Sequence, residues 1–447
     1  VISSTENNGP RTITIVPDWL VPIESPSLEE GFLVLHDGEV AFVGDELPAK
    51  FQSIPCVRLN GIAVLPGLVN AHCHLEFSDL TTPIASGPSF PSWIRRLIDY
   101  RNSESLDATE RAEARRKAIA KGINESYATG VRWIVDMTTQ PWSHDWTDWN
   151  RVGFDQTDVN RGGNHMHPPI VVQPCIELID ITPQRYQQTK HFSMEQCHAP
   201  PLHNSGRTGL APHAPYTASL QATQFAVEKS RLESRLLSVH LAESIEEMEW
   251  LSHQSGPFSQ LLAPFINAEY FTTLGTIAER LSQMSHAWRA LVVHGNYLAP
   301  DELQFVAEHT FSMAVVLCPR THAHFGHRHG STGRYPLTER LEMGVRHLIG
   351  TDSRASNPDL NLWKEAQWIR RENPSLPAER VLRMVTIDAA NFLDLKQRYG
   401  ALREGYSANL TAIQLGSKKL QIDSLFDAIL DSQTESFPIE SKFARCD

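Results

Sequence analysis

Eight times between residues 63 and 350 a short apolar run gives way to a charged, amphipathic stretch. The runs are Ala63–Leu68, Val131–Met137, Ile170–Ile176, Thr208–Ala211, Leu236–His240, Ala290–His294, Met313–Cys318 and Val345–Gly350. Such alternation is the pattern of repeated βα units. Eight of them in one domain predict a closed (β/α)8 barrel of the TIM type rather than an open sheet. Among the intervening helices Asp107–Ser126 is the clearest, with many charges and with Ala and Ile at helical spacing.

The ends of the chain follow another rhythm. Thr12–Val16, Gly31–Leu35 and Val40–Gly44 are short strand-like runs, and the Asp37-Gly38 step between the last two predicts a tight hairpin. Leu410–Leu415 supplies a matching strand near the other end. The expectation is a small β-sandwich domain built from both ends (residues 1–65 and 396–447) around a barrel at 66–395. Residues 141–169 interrupt the barrel pattern with Trp142, Trp146 and Trp149 among polar residues. They are expected to form a long surface loop or a lid.

Forty basic against 52 acidic residues give a net charge of −12, which disfavours nucleic acid or an anionic membrane as a partner. No apolar run approaches the roughly 18 residues of a membrane span, and no basic-then-apolar leader opens the sequence. The six cysteines are scattered without a C-x-x-C pair, so reduced, buried thiols and a cytoplasmic setting are expected. There is no G-x-G-x-x-G, no G-x-x-x-x-G-K-[ST] and no G-x-S-x-G, which removes dinucleotide, Walker-type and serine-hydrolase chemistry.

The chemistry gathers where the apolar runs end. The first leads into Pro66-Gly67-Leu68-Val69-Asn70-Ala71-His72-Cys73-His74. In an extended chain residues i and i+2 face the same side, so His72 and His74 can reach one ion. Later runs close on His240-Leu241-Ala242-Glu243, on His294-Gly295 and on Gly350-Thr351-Asp352-Ser353. From His74 to His240 is 166 residues, from His240 to His294 is 54, and from His294 to Asp352 is 58, all plausible for whole βα units. Each group therefore falls on one barrel rim, where barrel enzymes place their chemistry. Imidazoles and a carboxylate converging there suit a divalent metal of zinc type with an open position.

These segments resemble the amidohydrolase superfamily over almost the whole chain, including the Gly400–Leu410 stretch. Within it, Pro212-His213-Ala214-Pro215-Tyr216-Thr217, Cys318-Pro319-Arg320 and Asp352-Ser353 with Ala355-Ser356-Asn357 resemble the deaminase and chlorohydrolase branch. Leu75-Glu76-Phe77-Ser78 and Phe90-x-x-Trp93-Ile94 are more loosely similar to aminodeoxyfutalosine deaminases. The resemblance implies a single metal, zinc with iron as the second option, held by His72, His74, His240 and Asp352. It also implies proton transfer by Glu243 and Asp352 with His294 orienting the attacking water, a small-molecule substrate and a homodimer. No Lys near the end of the fourth strand is placed to become a bridging carbamate, which argues against a binuclear site.

His213 and Tyr216, at the end of the fourth strand, are candidates to face the substrate, the alternative being that they pack the rim. Glu177, just after the third, is a candidate to bind sugar hydroxyls or else a surface acid, and Arg320, after the seventh, a candidate to contact a polar or anionic group. His322, His324, His327 and His329 invite a second metal site, but their spacing favours a solvated loop. Arg354 stands where related deaminases carry a small or apolar residue. The expected reaction is hydrolytic deamination of an adenine nucleoside-like or other amino-heterocycle. Dechlorination and cyclic-amide opening remain open, because the same activated water serves all three.

Overall fold

A computed structural model describes residues 12–102, 106–148, 170–199, 206–266, 268–330, 333–395, 398–415 and 420–439. Eight parallel strands follow one another round a barrel in chain order: Leu68–Cys73, Val131–Thr138, Val171–Leu178, Gly209–Pro212, Leu236–Leu241, Arg289–His294, Met313–Leu317 and His347–Ile349. Nearly every residue in them is buried, as expected of strands covered by helices outside and filled by side chains inside. The register places Leu241 opposite His294 and Val293 opposite Val316, so the strands reach the same rim together.

The first strand begins later than its apolar run. Ala63–Pro66 ends the long strand Cys56–Pro66 of the terminal domain, and the barrel starts at Leu68. Gly67 makes the break: a Cβ there would lie 2.2 Å from Arg132 Cγ, and its N–H donates to Asn409 O at 2.7 Å. An apolar run cannot by itself show where one sheet hands over to another.

The terminal domain takes the form of one mixed seven-stranded sheet. Its order is Glu435–Pro438, Leu410–Gln414, Cys56–Pro66, Thr12–Leu20, Phe32–His36 and Glu39–Gly44, with Leu28–Glu29 beside Thr12–Leu20. The Asp37-Gly38 turn forms as expected, both residues having positive φ (47° and 82°). Arg132 Nη2 donates to Leu410 O and Thr411 Oγ1 to Gly130 O, both at 2.7 Å, which ties this sheet to the bottom of the barrel.

The helix expected at Asp107–Ser126 spans Ala108–Ala128. Asp107 caps it, accepting from the N–H groups of Thr109 and Glu110, while the Glu110 carboxylate accepts from Asp107 N–H. In the Trp-rich segment, Trp142 is buried and a short 3-10 turn runs His144–Thr147; residues 149–169, with Trp149, lie outside the described residues. No described helix is long and apolar enough to cross a membrane. Cys73, Cys175, Cys197 and Cys318 are buried free thiols.

Candidate active site

The barrel closes where the chemistry sits. His72 O, at the end of the first strand, accepts from Thr351 N and Asp352 N just past the eighth, both at 3.1 Å. Asn70 reinforces the seam, its Nδ2 donating to Thr351 Oγ1 at 2.8 Å and its Oδ1 accepting from Thr351 N at 3.2 Å. Gly350 is required for this approach, since a Cβ there would come within 2.8 Å of His72 Cβ and O. The seam thus sets Asp352 against His72 and His74, on either side of Cys73.

Four imidazoles and two carboxylates meet at this rim. His74 Nε2 lies 3.2 Å from His240 Nε2. Asp352 Oδ1 is 3.6 Å from His72 Nε2 and 3.7 Å from His74 Nε2. Ligands about 2.0–2.1 Å from one tetrahedral cation stand roughly 3.3 Å apart, so these spacings suit a single ion. Both ring nitrogens of His72 are buried without a hydrogen-bond partner among the described residues, a cost that a cation would relieve. His240 Nδ1 donates to His213 O at 2.9 Å, which fixes the tautomer and turns Nε2 inward. The ligating atoms of His72, His74 and His240 all lie within 4.8 Å of one another.

Burial pushes His72, His74 and His240 below the ordinary imidazole range, so they are neutral and able to ligate. Burial also acts on Asp352, upward, yet its carboxyl stays below the usual range, with Oδ2 accepting from the Ser356 hydroxyl at 2.8 Å. Glu243 moves the other way. Burial, with the Asp352 and Glu247 carboxylates nearby, raises it well above the usual range, favouring the protonated acid. Its Oε1 is 3.4 Å from His294 Nε2. Two neighbouring carboxyl groups are thus driven apart, one kept as a base and the other as an acid.

Three of these strand ends have left-handed backbone at residues other than Gly: Ala242 (φ 51°), His294 (φ 68°) and Asp352 (φ 56°). Such conformations persist only when surrounding contacts hold them. Arg340 grips the His294 turn, donating to Gly295 O at 2.7 Å and Asn296 O at 2.8 Å. Asn357 Nδ2 donates to Thr351 O at 2.8 Å beside Asp352. Glu247 holds the Ala242 turn, accepting from Ala242 N and Glu243 N. The sequence reading missed these supports; the acid four residues after Glu243 was the one available sign.

The expected substrate contacts divide. Glu177 is buried at the end of the third strand, with Oε1 unpartnered among the described residues, and burial pushes it up to about 7. Its carboxylate converges with His213 and His240 within 4.8 Å. His213 faces the same space, with Nδ1 2.6 Å from Thr217 Oγ1. Tyr216 packs its ring on Phe258, centroids 4.5 Å apart, and edge-on to His213. Arg320 is a correction. It donates through Nε to Glu365 at 2.6 Å and through Nη2 to Asp359 at 2.7 Å, so two carboxylates already balance its charge. The guanidinium braces the loop after Asp352 through these bonds.

The second histidine group is not a solvated loop. His322 sits in a helix, Pro319–Phe325, and its Nε2 lies 2.7 Å from His329 Nε2. His327 Nδ1 meets the Tyr297 hydroxyl at 3.2 Å, and His324 Nε2 donates to Ile84 O. Arg354 is also accounted for: it donates to Glu125 Oε1 and to Leu80 O, both at 2.6 Å, which ties the Asp352 loop to the helix Ala108–Ala128.

Comparisons with known proteins agree with this geometry. The profile of the Amidohydrolase family matches residues 63–441. A 5-methylthioadenosine/S-adenosylhomocysteine deaminase of Pyrococcus furiosus is 26% identical over 397 residues, covering 86% of this chain and 82% of that protein. The fold matches that of Helicobacter pylori aminofutalosine deaminase, with a TM-score of 0.75 at 18% identity over 96% of this chain and 98% of the other. It also matches a zinc complex of the atrazine chlorohydrolase TrzN from Arthrobacter aurescens TC1, with a TM-score of 0.69 at 17% identity over 94% and 91% of the two chains.

Proposed function

The chain belongs to the amidohydrolase family, and on that premise we propose that it is a zinc-dependent aminohydrolase of an adenine nucleoside-like substrate. The observation that carries this reading is the convergence at one rim of His72, His74, His240 and the Asp352 carboxyl, with the Glu243 carboxyl beside His294. His72, His74, His240 and Asp352 would hold the metal. A bound divalent cation there supplies Lewis acidity that brings the pKa of water from 15.7 towards about 7.

The chain's own residues account for the proton movements. Asp352 accepts a proton from the attacking water. His294, beside Glu243, hydrogen-bonds that water and orients it. Glu243 protonates the ring nitrogen of the amidine, making its carbon electrophilic; its carboxylate then takes the hydroxyl proton of the adduct as the C=O forms, while the proton held by Asp352 passes to the amino group, which leaves as ammonia. Glu177 and His213 are placed to hold polar groups of the substrate, with Tyr216 forming the apolar side. Buried free thiols fit a reducing, cytoplasmic setting.

Ammonia release by the purified, zinc-loaded protein tests the reading. Methylthioadenosine, S-adenosylhomocysteine, adenosine and aminodeoxyfutalosine would be offered beside a chlorotriazine monitored for chloride. Chelator-sensitive ammonia from an adenine compound is expected. Chloride release with no ammonia from any adenine compound would refute the aminohydrolase.

A further inference from the structure

We propose that Glu247 is a positioning residue that fixes the backbone from which Glu243 projects; the kinetic half of this inference rests on the role given to Glu243 above. Glu247 lies in the first turn of the helix Ile245–His253 and is wholly buried. Ser244 caps that helix, accepting from Glu247 N at 3.2 Å. A glutamate at this third helical position ordinarily bends back to the N–H of the cap residue. Here it reaches further. Oε1 accepts from Ala242 N at 3.0 Å and Oε2 from Glu243 N at 2.8 Å.

Those two N–H groups flank the left-handed Ala242, whose φ is 51°. That conformation aims both amides the same way, and a single carboxylate collects them. Asn296 Nδ2 holds the other end of the residue, donating to Glu243 O at 2.9 Å. Glu243 is therefore gripped by its own N–H and C=O, which leaves the side chain facing His294 as its one freedom. Among the described residues, the hydrogen bonds of Glu247 go to Ala242, Glu243 and Ser244 and to none of the proposed ligands. The two N–H groups need two accepting oxygens, and an amide cannot replace the carboxyl, because the NH2 of glutamine would oppose one of the two N–H groups.

The test uses Glu247→Gln in the full, zinc-loaded chain. Amide hydrogen exchange at Ala242 and Glu243 should rise about tenfold, while the strand Arg289–His294 exchanges as before. Turnover of the adenine substrate should fall by up to about 10²-fold, as for a misplacement near 1 Å, with KM and bound zinc unchanged. In a Glu243→Gln background the same substitution should cost nothing further, because it acts only through Glu243. Unchanged exchange at Ala242 and Glu243, or a full additive loss in the double variant, would overturn the proposal. The exchange result needs no substrate, so it stands apart from the aminohydrolase reading. Full activity in Glu243→Gln would instead refute the role of Glu243 and the kinetic half with it. If Glu247→Gln does not fold, Asn296→Ala removes the opposite tether; it too should slow turnover without adding to Glu243→Gln, and additivity there also overturns the inference.

Discussion

Two groups of histidines sit near the same end of the barrel, and burial depresses His72, His74 and His240 in one and His322, His327 and His329 in the other. They differ in where their nitrogens point. At the strand ends, both nitrogens of His72 lack a hydrogen-bond partner among the described residues, His74 and His240 stand 3.2 Å apart, and the Asp352 carboxyl closes the set. In the other group, His322 and His329 meet at 2.7 Å, the length of an N–H···N hydrogen bond and tighter than tetrahedral ligands allow. His327 keeps a bond to Tyr297, Arg340 stands nearby, and among the described residues no carboxylate joins in a metal-binding group. Cations are held by unsatisfied donors with compensating negative charge, not by the number of imidazoles.

Removing one ring from each group would break the comparison most sharply. His240→Ala should lose bound zinc and drive turnover down by more than about 10³-fold. His322→Ala should retain one zinc per chain. Metal analysis of the two purified variants decides it, and loss of zinc from His322→Ala would make the second group a metal site after all. Glu243→Gln should separate binding from chemistry inside the first group, keeping zinc and losing about 10²- to 10³-fold in kcat. Full activity in that variant would remove Glu243 from the reaction.

The contrast also marks what could be read from the sequence. The βα rhythm exposed the barrel, and residues at the ends of apolar runs exposed His72, His74, His240, His294 and Asp352, because strand direction alone carries such positions to one rim. Arg320 and the His322–His329 group were misjudged for one physical reason. Both belong to the helix and loop after the seventh strand, whose partners (Glu365, Asp359, Tyr297) come from elements distant in the chain or from another turn of the barrel. A residue's period says which way it points, and says nothing of what waits there. Glu247 was hidden differently: as an acid in the first turn of a helix it resembles an ordinary dipole or cap contact, and only the left-handed Ala242 reveals its task.

The smallest effect concerns His347, which borders the second group through Tyr335. Arg340 Nη1 donates to the Tyr335 hydroxyl oxygen at 2.7 Å, that hydroxyl donates to His347 Nε2 at 3.0 Å, and His347 Nδ1 donates to Val345 O at 3.1 Å. Every group in this chain is satisfied only while Nε2 is bare. A proton on Nε2 would leave the Tyr335 oxygen facing two donors and its own hydrogen without an acceptor. Burial, with Arg340 and Arg380 close by, lowers His347 to about 3. Below the unfolded value of roughly 6.5 the unfolded chain binds a proton that the folded chain refuses. Its contribution to stability is therefore complete above pH 6.5 and is lost as pH falls towards 3, at about 1.4 kcal/mol per pH unit. His347→Gln has no proton to bind in either state. Between pH 6 and 4.5 the variant should lose about 2 kcal/mol less than the parent protein in urea unfolding. Equal acid losses in the two proteins would mean that His347 takes up its proton while folded, and that the Arg340–Tyr335–His347 relay does not keep it neutral.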